Sequence, residues 1–340
     1  MRIAIDAMGG DHAPREVVKG AALAAEEGID SILVGDRDQI QRELDQLGTS
    51  APKLEVVHST QVVEMDEHAL AVRQKRDASV RVCTRLLKEG KAQAVVTAGN
   101  TGAAMIAAKT MVGTIAGVDR PALAAVFPSR RGRTVLLDVG ANLSARTAHL
   151  RQFAAMGHVY AQLVIGLEAP RIGLMSVGEE EGKGTRLARE AFRVLERTGL
   201  NFVGNVEGRD VYSGVADVIV CDGFVGNVLL LSNESLAGFL TSMLREELTR
   251  TWRTRLGAWI AGPAFAEFRR RTDWAEYGAV PLLGVRGGFF IGHGRSESRA
   301  ILSAVRRAAE FSRANLHHRI REMVAELHSR EDEILGTDED

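Results

Sequence analysis

The chain has 340 residues, enough for two ordinary domains or one large α/β domain. Its 43 Lys plus Arg against 44 Asp plus Glu leave a formal net charge of −1, without the basic excess of a dedicated nucleic-acid binder. Only two cysteines occur, Cys83 and Cys221, and no CxxC, which argues against a disulfide scaffold and a cysteine zinc site.

The chain opens on the strand-like run MRIAID, which leaves no room for a signal peptide and predicts a cytoplasmic protein. Short apolar runs follow at 2–6, 31–34, 54–57, 94–97, 134–138, 171–177, 202–205 and 217–221. They are mostly unbroken, as strands covered on both faces should be. Helical patterns lie between them at 15–26, 37–47, 80–88, 147–165 and 185–197. This alternation predicts a doubly wound α/β fold with a largely parallel sheet. No repeat and no Pro/Ser-rich linker marks a boundary, so 1–330 is expected to form a single α/β catalytic domain. Residues 331–340 carry six acidic groups and read as a disordered, solvated tail.

Ligands of open α/β sheets bind beyond the carboxyl ends of the strands. In this chain those ends are polar and rich in glycine, which makes up 35 of the residues. The first run leads into Asp6, Gly9, Gly10, Asp11, His12 and Pro14, with the proline placed to open a helix. The others lead into Gly99-Asn100-Thr101-Gly102, Asp138-Val-Gly140-Ala-Asn142, Gly178 through Lys183 to Thr185, and Asp222-Gly223-Phe-Val-Gly226-Asn227. Any one of these is ordinary turn chemistry. Five together, expected on one edge of one sheet, predict a site for an anion, since glycine frees backbone N–H groups at helix N-termini for phosphate or carboxylate.

Several chemistries are excluded by pattern. The Gly178–Gly182 spacing is one residue short of a P-loop, and Gly184 stands where a magnesium-binding Ser or Thr belongs. No GxGxxG follows the first run, and there is no GxSxG or HExxH. His12 and Lys183 are the ionisable cations inside the loops. Lysine is rare, seven in all, so a lysine among 36 arginines stands out as a compact, tunable charge.

The loops belong to longer motifs: IAIDAMGGDHAP (3–14), VVTAGNTGA (95–103), DRPALA (119–124), LLDVGAN (136–142), GLMSVGEEEGKGT (173–185), NFVGNVEGRD (201–210), ADVIVCDGFVGNV (216–228) and GHGRS (292–296). On these, from residue 1 to about 328, the sequence resembles the bacterial phosphate acyltransferases that act on acyl carrier protein, the PlsX family of phospholipid synthesis. The resemblance implies a fold similar to the isocitrate/isopropylmalate dehydrogenases and phosphotransacetylases. It implies transfer of a fatty acyl group from acyl carrier protein to inorganic phosphate, a homodimer, and no metal or organic cofactor. Carried onto this chain, it makes Lys183, His12 and Asn227 the catalytic candidates. Gly9, Gly10, Asp11, Asn100, Thr101, Asn142 and Thr185 become phosphate or substrate contacts, and Asp6, Asp138 and Asp222 braces of the loops. Open alternatives are a phosphotransacylase using acyl-coenzyme A, an NAD-dependent dehydrogenase of the same fold, and a non-enzymatic carrier-protein scaffold.

Residues 241–279 break the rhythm. They hold all three tryptophans, and between Arg245 and Arg271 seven arginines face three glutamates. Leu244, Leu248, Trp252, Leu256, Trp259 and Ile260 recur at helical spacing, Gly262-Pro263 breaks the helix, and Phe265 and Phe268 follow on a return arm. The apolar tip is far short of the ~20 residues that span a bilayer. Its composition is that of an interfacial hairpin lying on anionic lipid, with packing in the dimer as the competing expectation. The first reading predicts peripheral attachment to the inner face of the cell membrane, near the downstream membrane-bound glycerol-3-phosphate acyltransferase.

Overall fold

The computed structural model describes residues 1–48, 54–265, 268 and 279–337. In chain order the strands are β1 (Arg2–Asp6), β2 (Asp30–Gly35), β3 (Glu55–His58), β4 (Ala94–Thr97), β5 (Ala122–Ser129), β6 (Gly132–Leu137), β7 (Ile172–Met175), β8 (Phe202–Val206), β9 (Val218–Val220), β10 (Ala279–Leu283) and β11 (Gly288–Gly292). They form one sheet in the order β3-β2-β1-β4-β11-β10-β5-β6-β9-β7-β8.

Alternation along the strands divides the apolar side chains between two layers. Ile3 and Ile5 of β1, Val96 of β4 and Leu137 of β6 face one core, while Ala4, Val95 and Leu136 face the other. Both faces are covered, which is why these runs are apolar throughout. The helices Arg15–Glu26 and Ser298–Arg313 cover the first face through Val17, Ala21, Ile301 and Val305. The helix Ser79–Lys88 covers the second through Val82, Cys83 and Leu86. The result is a three-layer α/β/α sandwich with a largely parallel sheet.

The centre of the sheet changes one expectation. β5 pairs antiparallel with β6, and β10 antiparallel with both β5 and β11. The block β6-β9-β7-β8 therefore runs opposite to the block β3-β2-β1-β4-β11. The five glycine loops do not share one edge. Those after β1 and β4 leave one end of the strands, and those after β6, β7 and β9 leave the other.

Two helical expectations are also corrected. Gly226 and Asn227 lie in the first turns of a long helix, Gly223–Thr249, and not in a loop. That helix stops at Thr249, and Thr251 caps a second helix, Trp252–Ile260, by accepting from Thr254 N at 3.2 Å. This break, at a Ser/Thr-type cap twelve residues before Pro263, is one that the sequence did not mark. The expected break at Gly262-Pro263 is present as well, since the helix Trp252–Ile260 ends at Ala261, directly before it. Of the expected return arm, Phe265 and Phe268 are described, whereas Arg269, Arg270, Arg271 and Trp274 lie outside the described residues. At the C-terminus, the helix Leu316–Thr337 continues through most of the acidic run expected to be disordered, as the helix-forming Glu, Ile and Leu there permit. Residues 338–340 of that run lie outside the described residues.

Candidate active site

The loops after β1, β4 and β11 are tied into one knot. The buried Asp6 accepts from Thr97 Oγ1 at 2.8 Å and Met8 N at 3.3 Å. Burial pushes its carboxyl above the ordinary range, against hydrogen bonds from Ser79, Thr97 and the main chain. Gly9 meets the next loop so closely that a Cβ there would lie 2.7 Å from Gly99 N. Gly10 has φ +107°, a conformation that glycine alone adopts easily, and Asp11 N donates to Gly294 O at 2.7 Å. His12 follows, exposed, with no side-chain partner among the described residues.

Asn100 caps the helix Thr101–Ala107 by accepting from Ala103 N at 3.0 Å, and its amide donates to Glu67 O at 2.9 Å. Its side chain thus acts as a helix cap and a tie between loops. The neighbouring Thr101 remains exposed.

A second knot forms around Asp138, whose carboxylate accepts from Leu123 N at 3.0 Å, Ala141 N at 3.0 Å and Asn142 N at 2.7 Å. Burial raises its pKa while these donors oppose the rise. Asn142 spends its amide on Asp138 Oδ2 and Pro121 O, both at 2.8 Å. It braces the same turn. Asp222 caps the helix Gly223–Thr249 by accepting from Val225 N at 2.9 Å. Beside it, Asn227 reaches the Gly140 turn, and its carboxamide has no hydrogen-bond partner among the described residues.

Both cysteines are buried and free. Burial, followed by the nearby Asp138 and Asp222, drives the Cys221 thiol well above its ordinary pKa, and burial does the same to Cys83. Neither is a ready thiolate nucleophile. Among the described residues no cluster of three or more His, Cys, Asp and Glu side chains is placed to hold a metal ion.

A cavity of about 450 Å³ joins the two knots. Thr101, His293 and Gly294 line it from the first, Val139 and Asn227 from the second. β5 forms its floor and the helix Gly223–Thr249 its roof. Met65, Glu234 and His293 are wall residues that the sequence did not mark. The motif containing His293 stands out in the sequence, but its place in a wall depends on long-range packing.

Lys183 is not brought to this cavity. It lies exposed in the loop after β7, its stem against Gly178, and its ammonium has no partner among the described residues. Thr185 caps the helix Arg186–Glu196 by accepting from Ala188 N at 3.2 Å. The hairpin residues Trp252, Leu256, Trp259 and Ile260 are exposed, Trp259 to 78%, while Phe265 is half-buried. No described helix is long and apolar enough to cross a membrane.

The family described as fatty acid synthesis protein matches residues 1–319. The chain belongs to this family. A phosphate acyltransferase of Pelotomaculum thermopropionicum is 48% identical over 329 residues, covering 96% of each chain. One of Thermus thermophilus is 50% identical over 329 residues, covering 96% of this chain and all of the other. The protein is accordingly an acyltransferase. Among solved structures, a phosphotransacetylase of Streptococcus pyogenes superposes with a TM-score of 0.60 at 16% identity, covering 92% of this chain and 94% of that one. A branched-chain phosphotransacylase of Enterococcus faecalis gives 0.54 at 16% identity, with 92% and 99% covered. These two share the fold.

Proposed function

We propose that this acyltransferase moves a fatty acyl group from the thioester of acyl carrier protein to inorganic phosphate. The observation that carries the reading is the state of the thiols. Both are buried with raised pKa values, and the sequence has no serine elbow, so phosphate itself is the nucleophile. A phosphate oxygen attacks the thioester carbon, the C–S bond breaks, and the carrier thiolate takes a proton. Positioning the two reactants together supplies about 7–11 kcal/mol of the barrier.

In this scheme the free amide of Asn227 donates to the thioester oxygen as charge develops, a contact worth about 2.7–4 kcal/mol. His12 protonates the leaving thiolate or holds phosphate beside the Gly9 and Gly10 amides. Lys183, with its unpaired ammonium, supplies the cation for phosphate when the loop after β7 closes on bound substrate. Arginines at 245, 250, 253 and 255 offer positive charge to an acidic carrier.

The long helix supports an assembly as well. Leu236, Phe239, Leu240 and Met243 stand exposed along it, and a second copy of the chain would cover them. Beyond it, the exposed Trp252, Leu256, Trp259 and Ile260 among arginines suit peripheral contact with an anionic membrane. Acyl phosphate is amphiphilic and labile, so release there limits its loss before the next, membrane-bound acyltransferase. Mass spectrometry of the protein during turnover tests the mechanism. The reading requires an unmodified chain, and an acyl adduct formed at the rate of turnover would overturn it.

A further inference from the structure

We infer that the cavity between β5 and the helix Gly223–Thr249 holds the acyl chain of the donor, and that its length sets the chain-length preference of the enzyme. The inference rests on the acyl-transfer reading above and adds the site and its specificity. Three observations carry it. The interior is apolar: Leu123, Ala125 and Phe127 of β5 line one side and Leu230, Leu231 and Ala237 of the helix the other, with Val280 and Ile291 between. The polar groups Asn227, Thr101 and Gly294, belonging to the two loop knots, open into the same space. A chain lying in it is therefore continuous with the place where a thioester would meet phosphate.

The third observation is size. A cavity of about 450 Å³ falls in the range that buries most of a drug-sized ligand, far more room than an acetyl or branched four-carbon group needs. Glu234 is the one carboxyl on the wall. Burial raises its pKa while His293 opposes the rise, so it presents less charge to an apolar ligand than a solvated glutamate would.

Ala237 is partly buried in the roof, where a larger side chain projects into the cavity without entering the sheet. Ala237→Phe displaces roughly three methylenes, each worth about fourfold in a transfer-energy estimate. The ratio of kcat/KM for an eight-carbon over a sixteen-carbon carrier-protein thioester should rise on the order of 100-fold, with the KM for phosphate held. An unchanged ratio in the folded variant would overturn the inference. Failure of wild-type protein to make any acyl phosphate would instead remove the underlying reading. A second measurement needs no variant: a sixteen-carbon donor carrying a diazirine at mid-chain is photolysed on the wild-type protein. Label in Ala122–Ser129 or Gly223–Thr249 supports the assignment. Label confined to Trp252–Ile260 contradicts it, since the chain would then lie on the hairpin.

Discussion

Gly226 rests against the carbonyl oxygen of Asp138 so closely that a Cβ added to the glycine would collide with it. One turn earlier, a Cβ on Gly223 would lie 2.7 Å from Asn142 O. Two glycines on one face of a helix start are thus the means by which Asn227 is seated at the Gly140 turn, and their poor helix propensity is the cost of that approach.

Gly226→Ala should destabilise the fold by about 1–3 kcal/mol or more through overpacking against backbone that cannot yield. It should also lower kcat, because the helix start must shift. Gly238→Ala, on the same helix with open space around the added methyl, should instead stabilise by about 0.5–1 kcal/mol. Denaturant melts of the pair check the contrast, and equal effects would dismiss the close approach as the cause.

Lys183→Ala should raise the KM for phosphate and lower turnover while leaving the melting temperature in place, since the side chain is exposed. Lys183→Arg should restore only part of the loss, because a planar fork and an ammonium fill different spaces. Steady-state kinetics with phosphate varied decide it. Wild-type kinetics in Lys183→Ala would pass the role of principal cation to His12.

The Asp6 carboxyl has a folded pKa above its unfolded one. Folding disfavours its charged form, so its contribution is full below the ordinary carboxyl range and is lost as pH rises through the raised value. Asp6→Asn keeps a neutral partner for Thr97 and removes that titration. As pH rises above the ordinary carboxyl range the variant should gain stability relative to wild type, read as the difference in unfolding free energy across pH. A difference that is flat with pH would refute the assignment.

Changing Trp259, Ile260 and Phe265 together to Ser should release the protein from vesicles of anionic phospholipid, with wild-type binding falling as salt rises. The melting temperature and oligomeric state should persist. Dissociation or unfolding instead would make the hairpin a packing element, and the membrane reading would fail.

β1 and the helix Arg15–Glu26 were legible to the residue, because a buried parallel strand and an amphipathic helix each impose an uninterrupted pattern. β5, β10 and β11 escaped. β5 is alanine-rich, a helical composition, and carries Pro128. β10 contains Pro281, and β11 is only five residues long between glycines. These three strands set the polarity of the sheet, so the reversal that separates the loops into two groups was hidden with them. In the site, glycine and Asx spacing revealed the loops, but not which amides were already spent. Asn100 and Asn142 look like Asn227 in sequence, and only the structure shows their donors engaged. Glu234 and His293 meet across long-range packing that no local pattern encodes.

The proposed activity is the formation of acyl phosphate from a carrier-bound acyl thioester. Purified protein mixed with sixteen-carbon acyl carrier protein and phosphate, then quenched with hydroxylamine, gives the direct measurement. The acyl hydroxamate should form in proportion to enzyme and phosphate, with released carrier thiol equal to it and the carrier thioester preferred over the coenzyme A thioester in competition. Hydroxamate formed from the coenzyme A thioester alone, or none from either donor, would contradict it.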